Sequence, residues 1–151
     1  MKVKKLVEKL SEAYSQLVAA NNNFVAKNSG AEDFDQLIEV REQISAQIEE
    51  IAGNLIKETR HKYIGHSFSC NSISEVMLAL PILDPEMQEY CQEVKQSLKR
   101  LIESDKKVEE LVAKQRDDCR AEIAKIRKGS KSIRGYRQGN SSASAFIDKT
   151  K

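Results

Sequence analysis

The chain has 151 residues, 32 % of them charged, only 5 % aromatic, without Trp and with eight Gly and Pro together. That mix suits long helices packed by aliphatic side chains and excludes a β-sandwich, which needs turn residues every 8–12 positions. Net charge is +2 but unevenly laid out: from Arg127 onward seven Lys or Arg face Asp148 alone, +6, so residues 1–126 carry −4. An acidic helical body with a basic tail is expected.

Val3, Leu6, Val7, Leu10, Tyr14, Leu17, Val18 and Phe24 recur at three and four residues, the spacing that lines one helical face. A first helix is predicted over 2–27, ended by Asn28-Ser29-Gly30, with Asn21 on its apolar seam as a register-fixing polar residue. A second helix should open at Asp33 as N-cap, with Gln36 three residues on. Phe34, Leu37, Ile38, Ile44, Ile48, Ile51 and Leu55 form its stripe. The short connection makes the two an antiparallel hairpin.

Residues 60–71 lose the period and read as a loop. Ser72 with Glu75 forms a capping box that opens a short helix, which Pro81 should stop because proline disfavours helical geometry in the residue before it. Asp84-Pro85 restarts the chain, an N-cap acceptor followed by proline at the first helical position. From there Met87, Cys91, Val94, Leu98, Leu101, Asp105, Val108, Val112, Gln115, Cys119, Glu122 and Ile126 alternate by fours and threes. One helix over 85–128, about 65 Å long at 1.5 Å per residue, is predicted, flanked by the first two. The domain reading is a helical bundle over 1–128 and a flexible basic tail over 129–151.

The chemistry-bearing residues do not assemble into a catalytic set. His61, His66 and Cys70 match no structural zinc spacing and lack a fourth ligand. Cys91 and Cys119 sit on a helical seam without a base. Gly129-Ser130-Lys131-Ser132 lacks the adjacent Gly-Lys, the upstream glycine and the leading strand of a phosphate loop. The neighbouring carboxylates 49/50, 109/110 and 117/118 point apart on a helix. No enzyme activity, cofactor or metal is expected. The basic tail with Arg134-Gly135-Tyr136-Arg137 could meet phosphates, but the acidic body opposes nucleic-acid binding. No signal peptide or membrane span is read, so the expected setting is the cytoplasm, with no membrane insertion.

The stretch Lys125-Ile126-Arg127-Lys128-Gly129-Ser130-Lys131-Ser132-Ile133-Arg134-Gly135-Tyr136, followed by Phe146-Ile147-Asp148-Lys149, resembles the ending of bacterial flagellar export chaperones of the FlgN/FliT type, as does the layout of long antiparallel helices before a tail. The short helix near 72–80 and the histidine loop depart from that pattern. The resemblance implies a cytoplasmic chaperone that binds amphipathic helices of flagellar export substrates, hook–filament junction or filament-cap proteins. It would prevent their premature assembly and deliver them to the export gate. It also implies a gate-docking role for Tyr136.

A helix-in-groove partner needs anchors at helical spacing, and Leu98, Leu101, Val108, Leu111 and Val112 are the expected set. Phe146 and Ile147 are apolar anchors in the tail, expected to plug the empty groove. The alternative is a homodimeric coiled-coil structural or adaptor protein, in which the stripe pairs with its own copy.

Overall fold

The computed structural model describes residues 2–27, 31–65 and 70–137, with side chains described outside 31 and 131–137. Among these residues every regular element is helical: α1 Lys2–Lys27, α2 Ala31–Lys62, α3 Ile73–Leu83, a 3-10 turn Pro85–Met87 and α4 Gln88–Arg137. The predicted all-helical class is what the chain adopts. It divides into two compact units, residues 1–109 and 110–151.

In the first unit α1 and α2 form the expected antiparallel hairpin. Phe24 and Phe34 meet near the connection, ring centroids 5.8 Å apart. At the opposite end Lys2 Nζ lies 4.0 Å from Glu58. The core has two parts. In one, Val3, Val7 and Leu10 of α1, Leu55 of α2, Val76, Met77 and Leu80 of α3, and Met87, Cys91 and Val94 close over each other. In the other, Ala13 and Leu17 of α1, Ile44 of α2 and Leu101 of α4 pack without any α3 residue. At ~1.5–3 kcal/mol for each large aliphatic side chain buried, these two layers supply the main force holding the helices together.

Four boundaries differ from the sequence reading, each for a physical reason. Helix α2 begins at Ala31, so Asp33 is a first-turn residue and not the cap. There, with Glu32, it faces the positive end of the helix dipole. At its other end α2 persists to Lys62, where Arg60, His61 and Lys62 suit the negative end of the dipole. The following turn contains Gly65 at φ +92°, a left-handed conformation that glycine adopts without steric cost. The Arg60 guanidinium then ties α2 to the entry of α3, Nε donating to the Cys70 carbonyl at 3.0 Å and Nη2 to Asn71 Oδ1.

Helix α3 opens at Ser72 as predicted: the Glu75 amide donates to Ser72 Oγ at 3.3 Å, and the Asn71 amide donates to Glu75 Oε2 at 2.7 Å. Pro81 does not stop it, because the helix runs on to Leu83. Proline removes one backbone bond, but only a single turn follows it, and Val76, Met77, Ala79 and Leu80 are all buried on one face. The restart at Asp84 is as expected, with Oδ1 accepting from the Glu86 amide at 3.1 Å.

Helix α4 passes through Gly129 to Arg137, nine residues beyond the predicted end at 128. A single interior glycine costs about 1 kcal/mol relative to alanine, too little to end a helix by itself. The backbone of 129–137 is therefore helical, and the expected bundle–tail boundary is not where α4 stops. Residues 138–151 lie outside the described part.

Candidate functional site

The course of α4 through the first unit decides which residues are open to a partner. Met87, Cys91 and Val94 are enclosed together with α3. After Val94 the buried line continues through Ser97, Leu101, Ser104 and Val108. This line faces α1 and α2. Ser97 Oγ lies 3.1 Å from Ser11 Oγ, and Leu101 shares a core layer with Leu17 and Ile44.

A second line leaves Cys91, which is buried in the cluster that also holds Val76, Met77, Ala79 and Leu80 of α3. Leu98 is seven residues on from Cys91 and Ile102 four further, spacings that keep one helical face. On this line Leu98 is 40 % exposed and Ile102 55 %, so two apolar side chains one turn apart on α4 face outward.

A polar layer bounds this surface. Asn21, fully buried on α1, donates from Nδ2 to Ser104 Oγ at 2.9 Å and to Asp105 Oδ1 at 2.8 Å. Its Oδ1 accepts from Arg41 Nη1 at 2.7 Å, and the same Arg41 nitrogen reaches Asp105 Oδ1 at 2.6 Å. Ser104 Oγ in turn donates to the Leu101 carbonyl at 2.9 Å. One buried amide therefore satisfies groups on three helices, and it fits only one vertical alignment of α1, α2 and α4. The seam position expected for Asn21 is the one it occupies.

The five anchor residues expected from sequence separate. Leu101 and Val108 are core residues, each 8 % exposed, so they are not surface anchors in this structure. The physical reason is that the line facing α1 and α2 takes them together with Ser97 and Ser104. Leu98 lies on the open face. Leu111 and Val112 are half-buried and belong to the second unit. Ile102 was missed, because a pattern of fours and threes drawn through Leu98, Leu101 and Asp105 passes beside it.

In the second unit, Ile123 and Ile126 are exposed along α4 among Arg120, Lys125, Arg127 and Lys128. Tyr136 falls within the helical backbone of α4, its side chain outside the described ones; Phe146 and Ile147 lie outside the described residues altogether. A further apolar patch, Leu78 and Ile82 on the outer face of α3, comes from a helix that is apolar nearly all round.

The titratable groups are those of a bundle. His61 is exposed, Cys70 is buried, and His66 lies outside the described residues. Among the described residues no three His, Cys, Asp or Glu side chains converge as a metal site would require. Burial pushes the Cys91 thiol up, with Lys95 pulling slightly the other way, and burial likewise raises the Tyr14 hydroxyl. Lys4, whose Nζ lies 4.7 Å from the Tyr90 ring centroid, is also shifted up, chiefly by the Tyr90 hydroxyl. It lies in a depression of about 860 Å³ with Glu86, Tyr90 and Glu93, a trough between solvated side chains. No helix of the described part is long and apolar enough to cross a membrane.

Among the described residues the chain is an all-helical bundle with Leu98 and Ile102 exposed on α4. No protein-family model matches the sequence, and no curated protein or solved structure is found similar to it.

Proposed function

We propose that the protein is a non-enzymatic binding chaperone whose guest is an amphipathic helix. The observation that carries this reading is the pair of exposed apolar side chains Leu98 and Ile102, four residues apart on one face of α4 beside the Arg41–Asp105 pair. A guest helix laid along α4 would bury apolar residues at i and i+4 against Leu98 and Ile102, and present a polar group toward the charged pair. The unit supplies apolar contact and register, and nothing in the proposal calls on a cofactor.

The ending Lys125–Tyr136 and Phe146–Lys149 supports a narrower form of the same reading. Its resemblance to flagellar export chaperones makes the guests the helical segments of flagellar export substrates, hook–filament junction or filament-cap proteins. These would be held in the cytoplasm and handed to the export gate, with Tyr136 as docking residue.

The test is titration of a labelled amphipathic peptide from such a substrate into the full chain, followed by fluorescence anisotropy. Leu98→Glu with Ile102→Glu should weaken binding at least tenfold while far-UV circular dichroism stays unchanged, since each lost apolar burial is worth ~1.5 kcal/mol or more and tenfold is about 1.4 kcal/mol. Equal affinity of the wild type and the double variant would refute the seat.

A further inference from the structure

Two exposed helical faces in this chain have complementary patterns. The first is on α2. Residues 32–50 contain seven carboxylates and one cation, Arg41, whose recorded ion pair is with Asp105. Asp35, Glu42 and Glu49 repeat at intervals of seven, so they run along one face, with Glu39 beside them. All four are exposed, and among the described residues none has a cation within salt-bridge distance. Ser45 and Ala46 lie between them and Gly53 one turn beyond Glu49, all exposed, with nothing within 4 Å of a Cβ placed at Gly53. Small side chains there leave room for another helix to come close.

The second face is on α4. Arg116, Arg120 and Arg127 follow at intervals of four and seven and are exposed. Ile123, seven residues from Arg116, lies on the same face at 45 % exposure, and Ile126 borders it. The acids of this stretch, Asp117, Asp118 and Glu122, fall on other sides of the helix by the 100° step. From residue 119 to 137 seven cations face one acid. The acidic face spans about 21 Å and the basic one about 16 Å at 1.5 Å per residue, so their charges can meet over two turns or more.

We propose that these faces bind each other between two copies of the chain, the Arg116/Arg120/Arg127 face of one seated on the Asp35/Glu42/Glu49 face of the other, with Ile123 over Ala46. The occupant is a second copy because each chain carries one face of each sign. A two-fold pair satisfies both at once, whereas a foreign acidic or basic partner would leave one unmet. Seven residues separate Arg120 from Arg127 as they separate Glu42 from Glu49, so two interhelical ion pairs can form in register. Arginine suits this role because its planar fork pairs with carboxylates in two-point fashion.

Light scattering after size exclusion tests the pairing on the full chain. At low salt the mass should be twice the 17.1 kDa of one chain, falling toward 17.1 kDa at high salt. The salt dependence is expected because the screening length shrinks from about 10 Å at 0.1 M to about 3 Å at 1 M. Arg120→Glu with Arg127→Glu, and separately Glu42→Arg with Glu49→Arg, should each give monomers of unchanged helicity. Mixing the two variants should restore the doubled mass, since the acidic α4 of one then meets the basic α2 of the other. A wild-type chain of 17.1 kDa at low salt would overturn the proposal. So would a pair indifferent to both double substitutions, or a mixture that stays monomeric. None of these positions belongs to the Leu98/Ile102 seat, so peptide binding is read independently.

Discussion

Replacing Asn21 by alanine gives the sharpest test of the polar layer. The substitution deletes three hydrogen bonds: to Ser104 at 2.9 Å, to Asp105 at 2.8 Å and from Arg41 at 2.7 Å. The bond to a neutral hydroxyl is worth about 1 kcal/mol and each bond to a charged group ~1.5–3 kcal/mol. The Arg41 and Asp105 side chains are 33 % and 35 % exposed, and they keep each other at 2.6 Å, so water and their mutual contact offset much of the charged contribution. Ser104 keeps its bond to the Leu101 carbonyl. Taking the low end for the charged bonds, and counting the cavity as small, Asn21→Ala should cost about 3 kcal/mol. That corresponds to a fall in Tm of ~6–12 °C for a chain of this length.

Asn21→Leu refills the volume but deletes the same three bonds, so it should cost about as much, because near-neutrality requires every partner of a buried hydrogen bond to be replaced and not one alone. Urea unfolding followed by circular dichroism at 222 nm reads both. If either variant costs under about 1 kcal/mol, the amide does not hold the three helices in the way described.

Two further outcomes follow from the same coordinates. Of the three thiols, Cys119 is exposed while Cys70 and Cys91 are buried, so a thiol reagent should titrate one cysteine rapidly in the native chain and the other two only on unfolding. Rapid labelling of Cys91 would show that the α3–α4 layer opens freely. Stability should fall as pH rises past the ordinary thiol range. Burial raises the folded-state pKa of Cys91 and of Tyr14, so the unfolded chain loses those protons first and is favoured as pH climbs toward the folded values. Denaturation midpoints measured across the alkaline range should decline, and Cys91→Ala should flatten the earlier part of that decline.

Much of the fold is legible in the residue order because the signals are local. Apolar residues at three and four apart fix that α1, α2 and α4 are helices, and Ser72-Glu75 and Asp84-Pro85 fix where α3 and the 3-10 turn ahead of α4 begin, through bonds spanning two or three residues. Asn21 was readable for the same reason: a polar residue on an apolar seam needs partners. What locality cannot settle is where a helix stops when packing opposes a weak breaker. Pro81 lies inside α3 because buried neighbours hold the turn, and α4 passes Gly129 because one glycine costs less than the surrounding turns contribute.

The candidate site was only half visible. Leu98 was found by spacing, but Ile102, Ser97 and Ser104 were not. Adjacent positions on a helix differ by 100°, and which of them faces inward depends on the line along which α1 and α2 meet it. The sequence by itself determined that this chain is a set of amphipathic helices with an acidic body and a basic end. Only the tertiary structure decided that Leu101 is enclosed with α1 and α2 while Leu98 and Ile102 stay exposed. An apolar stripe is a property of one helix, whereas which part of it is covered depends on the lengths and positions of several.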